Sequence, residues 1–114
     1  MESLARMKCE ACHKGSPTVT PEEVGQLYPQ IPDWMIVERD GVQRLERVFQ
    51  LKNFADALTL ANKIGVVSEE EGHHPVLIVE WGRLTVTWWT HAISGLHRND
   101  FIMAAKTDQA YTTL

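Results

Sequence analysis

Three histidines are the residues best suited to chemistry in this chain: His73 and His74, adjacent after an acidic run, and His91, seventeen positions later. Imidazole exchanges protons near neutral pH, so two of them near each other can serve as base and acid. A set of histidines can also hold zinc with an open coordination position, although neighbouring His73 and His74 diverge and make poor partners for one ion. The bland alternative is three structural histidines on a wet edge. Ser68-Glu69-Glu70-Glu71 precedes them, and carboxylates at a helix C-terminus oppose the macrodipole. Glu69 lies four residues before His73 and could face that imidazole and fix its tautomer, whereas Glu70 and Glu71 read as a solvated acidic turn. A second motif, Cys9-Glu10-Ala11-Cys12-His13, matches the CxxCH pattern of haem attachment. No export signal precedes it, Lys14-Gly15-Ser16-Pro17 follows as a loop rather than a helix, and no second cysteine pair exists to complete a structural zinc site. A three-ligand metal site with one borrowed residue and a frayed arm with incidental thiols both remain open.

The elements that must position these groups follow from local signals. Thr20-Pro21-Glu22-Glu23 starts a short helix, with Thr as cap and Pro in the first turn, and Tyr28-Pro29 and Ile31-Pro32 end it. Trp34 to Val37 reads as a strand, Asp40-Gly41 as a two-residue hairpin turn, and residues 42–51 as the return strand. There Arg47 interrupts the apolar row Leu45, Phe49, Leu51, leaving register or a bulge open. Asn53 caps the longest helix, about 54–70, whose Phe54, Ala57, Leu58, Ala61, Ile64 and Gly65 form the expected apolar stripe. Pro75 prevents its continuation. A second hairpin pairs Val76–Trp81 with Leu84–Thr90 around Gly82-Arg83. On that register Trp81 faces Leu84, Leu77 faces Trp88, and His74 faces His91, with Cβ atoms roughly 4.5–5.5 Å apart. Leu77, Val79, Trp81, Leu84, Val86 and Trp88 then form the apolar face, while His74, Ile78, Thr85, Thr87, Trp89 and His91 share a mixed one. Asn99 or Asp100 caps a last helix carrying Phe101, Ile102, Ala105 and Tyr111 inward.

The order is α-β-β-α-β-β-α, an α+β fold with one four-stranded antiparallel sheet and helices on one face. With 114 residues there is room for one domain, here 20–114, behind an N-terminal arm of residues 1–19 that is partly flexible. Hydrophobic residues at 44% and charged residues at 23% exclude a disordered chain, and no apolar run is long enough to span a membrane. Eleven Lys and Arg against fifteen Asp and Glu give a net charge of −4, which disfavours non-specific binding to nucleic acid or anionic lipid. Two cysteines are too few for a disulfide scaffold, so a cytoplasmic protein is expected. Four tryptophans, three of them within residues 81–89, call for a core, a ligand or a partner subunit to cover them.

Glu69-Glu70-Glu71-Gly72-His73-His74-Pro75, followed across a hairpin by Thr90-His91, resembles the signature of the pterin-4a-carbinolamine dehydratases. Ile31-Pro32-Asp33-Trp34, the helix start Leu51-Lys52-Asn53-Phe54 and the stretch from Gly95-Leu96 to Asp100 extend the resemblance over about residues 20–110, and Cys9-Glu10-Ala11-Cys12 resembles the start of bacterial members. The resemblance implies an α+β fold with three helices on one side of the sheet, and assembly as a homodimer or homotetramer. It also implies dehydration of 4a-hydroxytetrahydropterin to the quinonoid dihydropterin, without metal or organic cofactor, recycling the cofactor of phenylalanine hydroxylase. By resemblance His73 and His91 are the proton-transfer pair and His74 holds substrate. Pro75, Thr90, Ala92 and Ile93 would line the pterin pocket. Asp100 matches an acidic position near the site and could equally be a helix cap. Ala92-Ile93-Ser94 lacks polar residues that some members carry, so contacts there would run through backbone. Animal relatives also act as dimerisation cofactors for a transcription factor, which makes a non-catalytic binding protein the competing function.

Overall fold

The computed structural model describes residues 2–10 and 14–114, so Cys12 and His13 of the CxxCH motif lie outside the described residues. Helix α1 (Pro21–Leu27) begins with a complete capping box: the Glu23 amide donates to the Thr20 hydroxyl at 3.1 Å and the Thr20 amide to the Glu23 carboxylate at 3.0 Å. Strands β1 (Met35–Arg39) and β2 (Val42–Gln50) flank Asp40-Gly41, both at positive φ, as a type I′ turn requires. Helix α2 (Phe54–Glu71) is capped by Asn53 and stopped by Gly72 in the left-handed conformation. Strands β3 (Val76–Glu80) and β4 (Arg83–Trp88) form the second hairpin, and α3 (Arg98–Thr112) closes the chain. The four strands make one antiparallel sheet in the order β1-β2-β4-β3, against which α2 and α3 pack. The expected α+β architecture and element order are those found. Among the described residues no helix is long and apolar enough to cross a membrane.

The second hairpin departs from the expected register. Glu80, not Trp81, is the last residue before the turn and lies opposite Arg83, so Leu77 faces Val86 and Val79 faces Leu84. Gly82 takes the positive φ (+71°) that the turn demands, and the Glu80 carboxylate grips the Arg83 guanidinium through two 3.0 Å bonds. A shift of two residues keeps every side chain on its own face, so Leu84, Val86 and Trp88 are in the core as expected. Trp81 is moved off the apolar face into the turn, where it is 74% exposed. His74 lies before the first residue of β3 and is not paired across the hairpin with His91.

Two helix readings also need correction. The buried stripe of α2 is Ala57, Leu60, Ala61, Ile64 and Ser68, while Phe54 and Leu58 are 44% and 42% exposed. The spacing is helical in both cases; the face that meets the sheet is rotated toward Leu60. The cap of α3 is His97, whose Nδ1 accepts from the Asn99 amide at 3.0 Å, with Asp100 completing the box from the third helical position. Phe101 through Ala105 are all buried, because α3 lies between the sheet and a 3₁₀ turn (Leu4–Arg6) of the arm. Leu4 is itself wholly buried in the core, and the Lys106 ammonium donates to the Ala5 carbonyl at 2.9 Å.

No bulge accommodates Arg47, since β2 and β4 pair without interruption from Leu45–Trp88 to Gln50–Arg83. Its guanidinium lies over the Phe49 ring and reaches Asp108 at 2.6 Å, and Asp108 also accepts from the Trp34 indole at 2.8 Å. Burial is the largest influence on Asp108 and holds its carboxyl above the usual carboxylate range, against the pull of Trp34 and Arg47. Asp108→Ala is expected to cost about 2 kcal/mol in urea unfolding, because two donors lose their acceptor. Asp108→Asn, which keeps an acceptor, should cost less than half of that. Equal losses would show that the charge, not the acceptor, holds this corner.

Candidate active site

The end of α2 delivers the paired histidines. Gly72, at φ 65°, turns the chain out of the helix, and the His73 amide still donates to the Ser68 carbonyl at 3.1 Å. The His73 ring lies nearly parallel to Trp88, with centroids 5.6 Å apart and planes 6° apart. Its Nε2 is 2.6 Å from Oδ1 of Asp100, which is completely buried. The other Asp100 oxygen accepts from the Thr90 hydroxyl at 2.8 Å and the His97 amide at 2.9 Å. Asp100 is therefore not the cap residue of α3 but the third-position partner of the His97 cap, and with its other oxygen it holds His73. Glu69 bonds Nε2 of His74 rather than His73, and that pair is exposed. His73, one residue earlier, points back to α3.

His91 opens a 3₁₀ turn (His91–Ile93) beyond β4, tied off by bonding between Thr90 and Gly95. Its ring rests on Trp89 at 4.4 Å, and the Arg44 guanidinium covers Trp89 at 4.1 Å. His73, His74 and His91 all line one cavity of about 430 Å³, together with Thr90 and Ala92. That volume suits a small bicyclic ligand, since such pockets run from about 300 to 1,000 Å³. Pro75 and Ile93 are not in its wall; Glu69 and Asp100 stand behind His74 and His73. Glu10, Glu71 and Asn99, which sequence reasoning did not place there, also line it, as does Cys9, which the sequence offered only as a metal or redox candidate. One signal was present for Glu71, a carboxylate in an acidic run placed against the helix dipole. Among the described residues no three His, Cys, Asp or Glu side chains converge as a metal site would require.

Residues 17–110 match the family model described as pterin 4 alpha carbinolamine dehydratase. A curated protein of Nitrosococcus oceani, provisionally named a pterin-4-alpha-carbinolamine dehydratase, is 58% identical over 109 residues, 96% of each chain. This chain belongs to the pterin-4a-carbinolamine dehydratase family. Membership makes it an enzyme of the hydro-lyase class. A crystal structure of a transcriptional coactivator/pterin dehydratase from Brucella melitensis superposes with a TM-score of 0.74 at 26% identity, covering 82% of this chain and 98% of that one. A pterin dehydratase-like protein identified as a RuBisCO assembly factor in the alpha-carboxysome shares the fold, with a TM-score of 0.58 at 19% identity over 68% of this chain and 88% of that one.

Proposed function

We propose that the chain dehydrates a 4a-hydroxytetrahydropterin to the quinonoid dihydropterin, with His73 and His91 as the proton-transfer pair. The observation that carries this reading is the convergence of His73, His74 and His91 on one cavity. The substrate holds a hydroxyl on C4a beside N5–H. A base removes the N5 proton, the C4a–O bond breaks as an acid protonates the departing hydroxyl, and the electron pair left on N5 forms the C4a=N5 double bond. Water leaves, and no electrons are exchanged with any acceptor.

The hydrogen bonds suggest how His73 takes part. The Asp100 carboxylate accepts from the Thr90 hydroxyl and the His97 amide, and as an acceptor toward His73 as well it assigns the hydrogen to Nε2 and leaves the Nδ1 lone pair as the basic atom. Glu69 sets His74 in the same way, and His74, the more exposed of the pair, holds substrate. Thr90 and Ala92 contribute wall rather than chemistry, and Pro75 and Ile93, outside that wall, take no part. Convergent imidazoles favour catalysis over a purely binding role, which has no use for them.

The exposed Met35, Val48 and Ile78 on the sheet face away from the core support assembly as a homodimer or homotetramer; a place in the cytoplasm and service to a phenylalanine hydroxylase rest on the family resemblance alone. The test is stopped-flow absorbance of 4a-hydroxytetrahydropterin decay, with and without chelator. We expect acceleration well above buffer and equal in both. Decay no faster than buffer would overturn the reading, and loss of activity with chelator would transfer the chemistry to a metal.

A further inference from the structure

The N-terminal arm precedes the span matched by the family model, which begins at residue 17, yet its Cys9 and Glu10 line the same cavity as the histidines. The arm is held there at several points. The Cys9 amide donates to the Glu71 carboxylate at 2.7 Å. The Asn99 side chain makes a two-way clamp on Glu10, its oxygen accepting from the Glu10 amide at 3.0 Å and its nitrogen donating to the Glu10 carbonyl at 2.8 Å. The Glu10 carboxylate lies 3.4 Å from Arg98 and 3.6 Å from His97. Farther back, Leu4 anchors the arm in the core and the Leu4 amide donates to Gln30 at 2.8 Å.

We infer that this arm is a substrate-positioning wall of the pterin pocket, clamped by Asn99 and Glu71, with Cys9 and Glu10 against the bound pterin. The inference rests on the cavity being the pterin site. It gives the acidic end of α2 a purpose: Glu69 sets His74, and two residues on, Glu71 accepts the arm. It also accounts for Cys9. Burial, with Glu71 and then Asp100 adding to it, pushes the Cys9 thiol up to about 12, so at neutral pH it is an uncharged and unreactive surface. An uncharged thiol leaves the proton traffic to the histidines. A clamped wall acts on substrate before and during reaction alike, so losing it raises KM rather than lowering kcat.

The test uses the full chain. Asn99→Ala removes both clamp bonds but leaves Leu4 in the core, and Cys9→Phe places bulk at the cavity while keeping both Asn99 side-chain bonds, giving up only the 3.9 Å contact of the Cys9 Sγ with the Asn99 carbonyl. For Asn99→Ala we expect faster amide exchange at residues 9 and 10 and a KM about five- to tenfold higher, with kcat changed less than about twofold. For Cys9→Phe we expect weaker binding of 7,8-dihydrobiopterin by a similar factor. In the wild type, 7,8-dihydrobiopterin should slow amide exchange at residues 9–10 as well as at 72–74 and 90–92. Protection at 72–74 and 90–92 without protection at 9–10, or an unchanged KM with a loosened arm, overturns the arm's role and leaves the site in place. No protection at 72–74 and 90–92 overturns the site itself. If Asn99→Ala fails to fold, the Cys9→Phe affinity and the wild-type exchange pattern decide between the same outcomes.

Discussion

His91→Ala is expected to lower kcat for dehydration by about 10²–10³, the usual effect of removing a positioned acid or base. Unfolding stability should hardly move, because His91 is exposed and its ring rests, tilted, on the Trp89 that Arg44 covers. That contrast makes the variant informative: a large kinetic loss with an intact fold cannot come from misplaced elements. His73→Ala should lose a similar factor in kcat, but with measurable destabilisation, since its ring packs on Trp88 and satisfies Asp100. Combining the two should cost much less than the product of the single losses, because a proton pair acts as a unit. Each single variant should also erase one limb of the pH–rate profile, the base's limb for one and the acid's for the other. Additive losses with an unchanged profile would mean that the two imidazoles bind substrate without exchanging protons. His74→Ala should raise KM more than it lowers kcat, in keeping with a substrate-holding role.

How much of this was legible in the sequence depends on the range of the forces involved. Caps, turns and hairpins are local, and Thr20, Asn53 and Asp40-Gly41 fixed their elements as read. The slip at Trp81-Gly82 is a near-degenerate choice between two turns that keep the same faces, settled by the Glu80–Arg83 ion pair and the φ of Gly82. Parity survived the slip, so Trp88 was placed in the core correctly even though its partner was not. Long-range pairings were beyond reach. Nothing in the spacing of Glu69 and His73 reveals that the latter turns toward Asp100, 27 residues away, or that Arg47 and Trp34 meet at Asp108. The rotated stripe of α2 has a similar cause. Phe54 and Leu58 satisfy helical periodicity as well as Leu60 does, and only the position of the sheet decides which are covered. The arm's place at the cavity was hidden for the same reason, since it depends on contacts with Glu71 and Asn99, 62 and 89 residues away.

Asp100→Asn should be nearly as damaging to activity as removing a histidine, while costing far less stability than Asp100→Ala. In the wild type one Asp100 oxygen faces the Thr90 hydroxyl and the His97 amide, and the other faces His73. Both groups on the first side are donors, so the amide oxygen of the substituted side chain must take that position and its NH₂ must face His73. An NH₂ needs a lone pair opposite it, which forces the His73 hydrogen from Nε2 to Nδ1 and removes the basic atom that the proposed proton transfer uses. The same change of tautomer beside a catalytic imidazole costs about 10⁴ in a serine protease, and a loss of about 10²–10⁴ in kcat is expected here. Because the cap of α3 keeps its acceptor, unfolding stability should fall by only about 1 kcal/mol, against roughly 2–4 kcal/mol for Asp100→Ala, which strands the buried donors of Thr90 and His97 as well as His73. Nitrogen-15 NMR of the His73 ring supplies the independent readout, since the two tautomers differ at both nitrogens. A shifted tautomer with full activity would remove His73 from proton transfer and leave Asp100 as the partner of the helix cap alone. A shifted tautomer with lost activity and retained pterin binding would place the proton-accepting atom at Nδ1 and make Asp100 the residue that positions it.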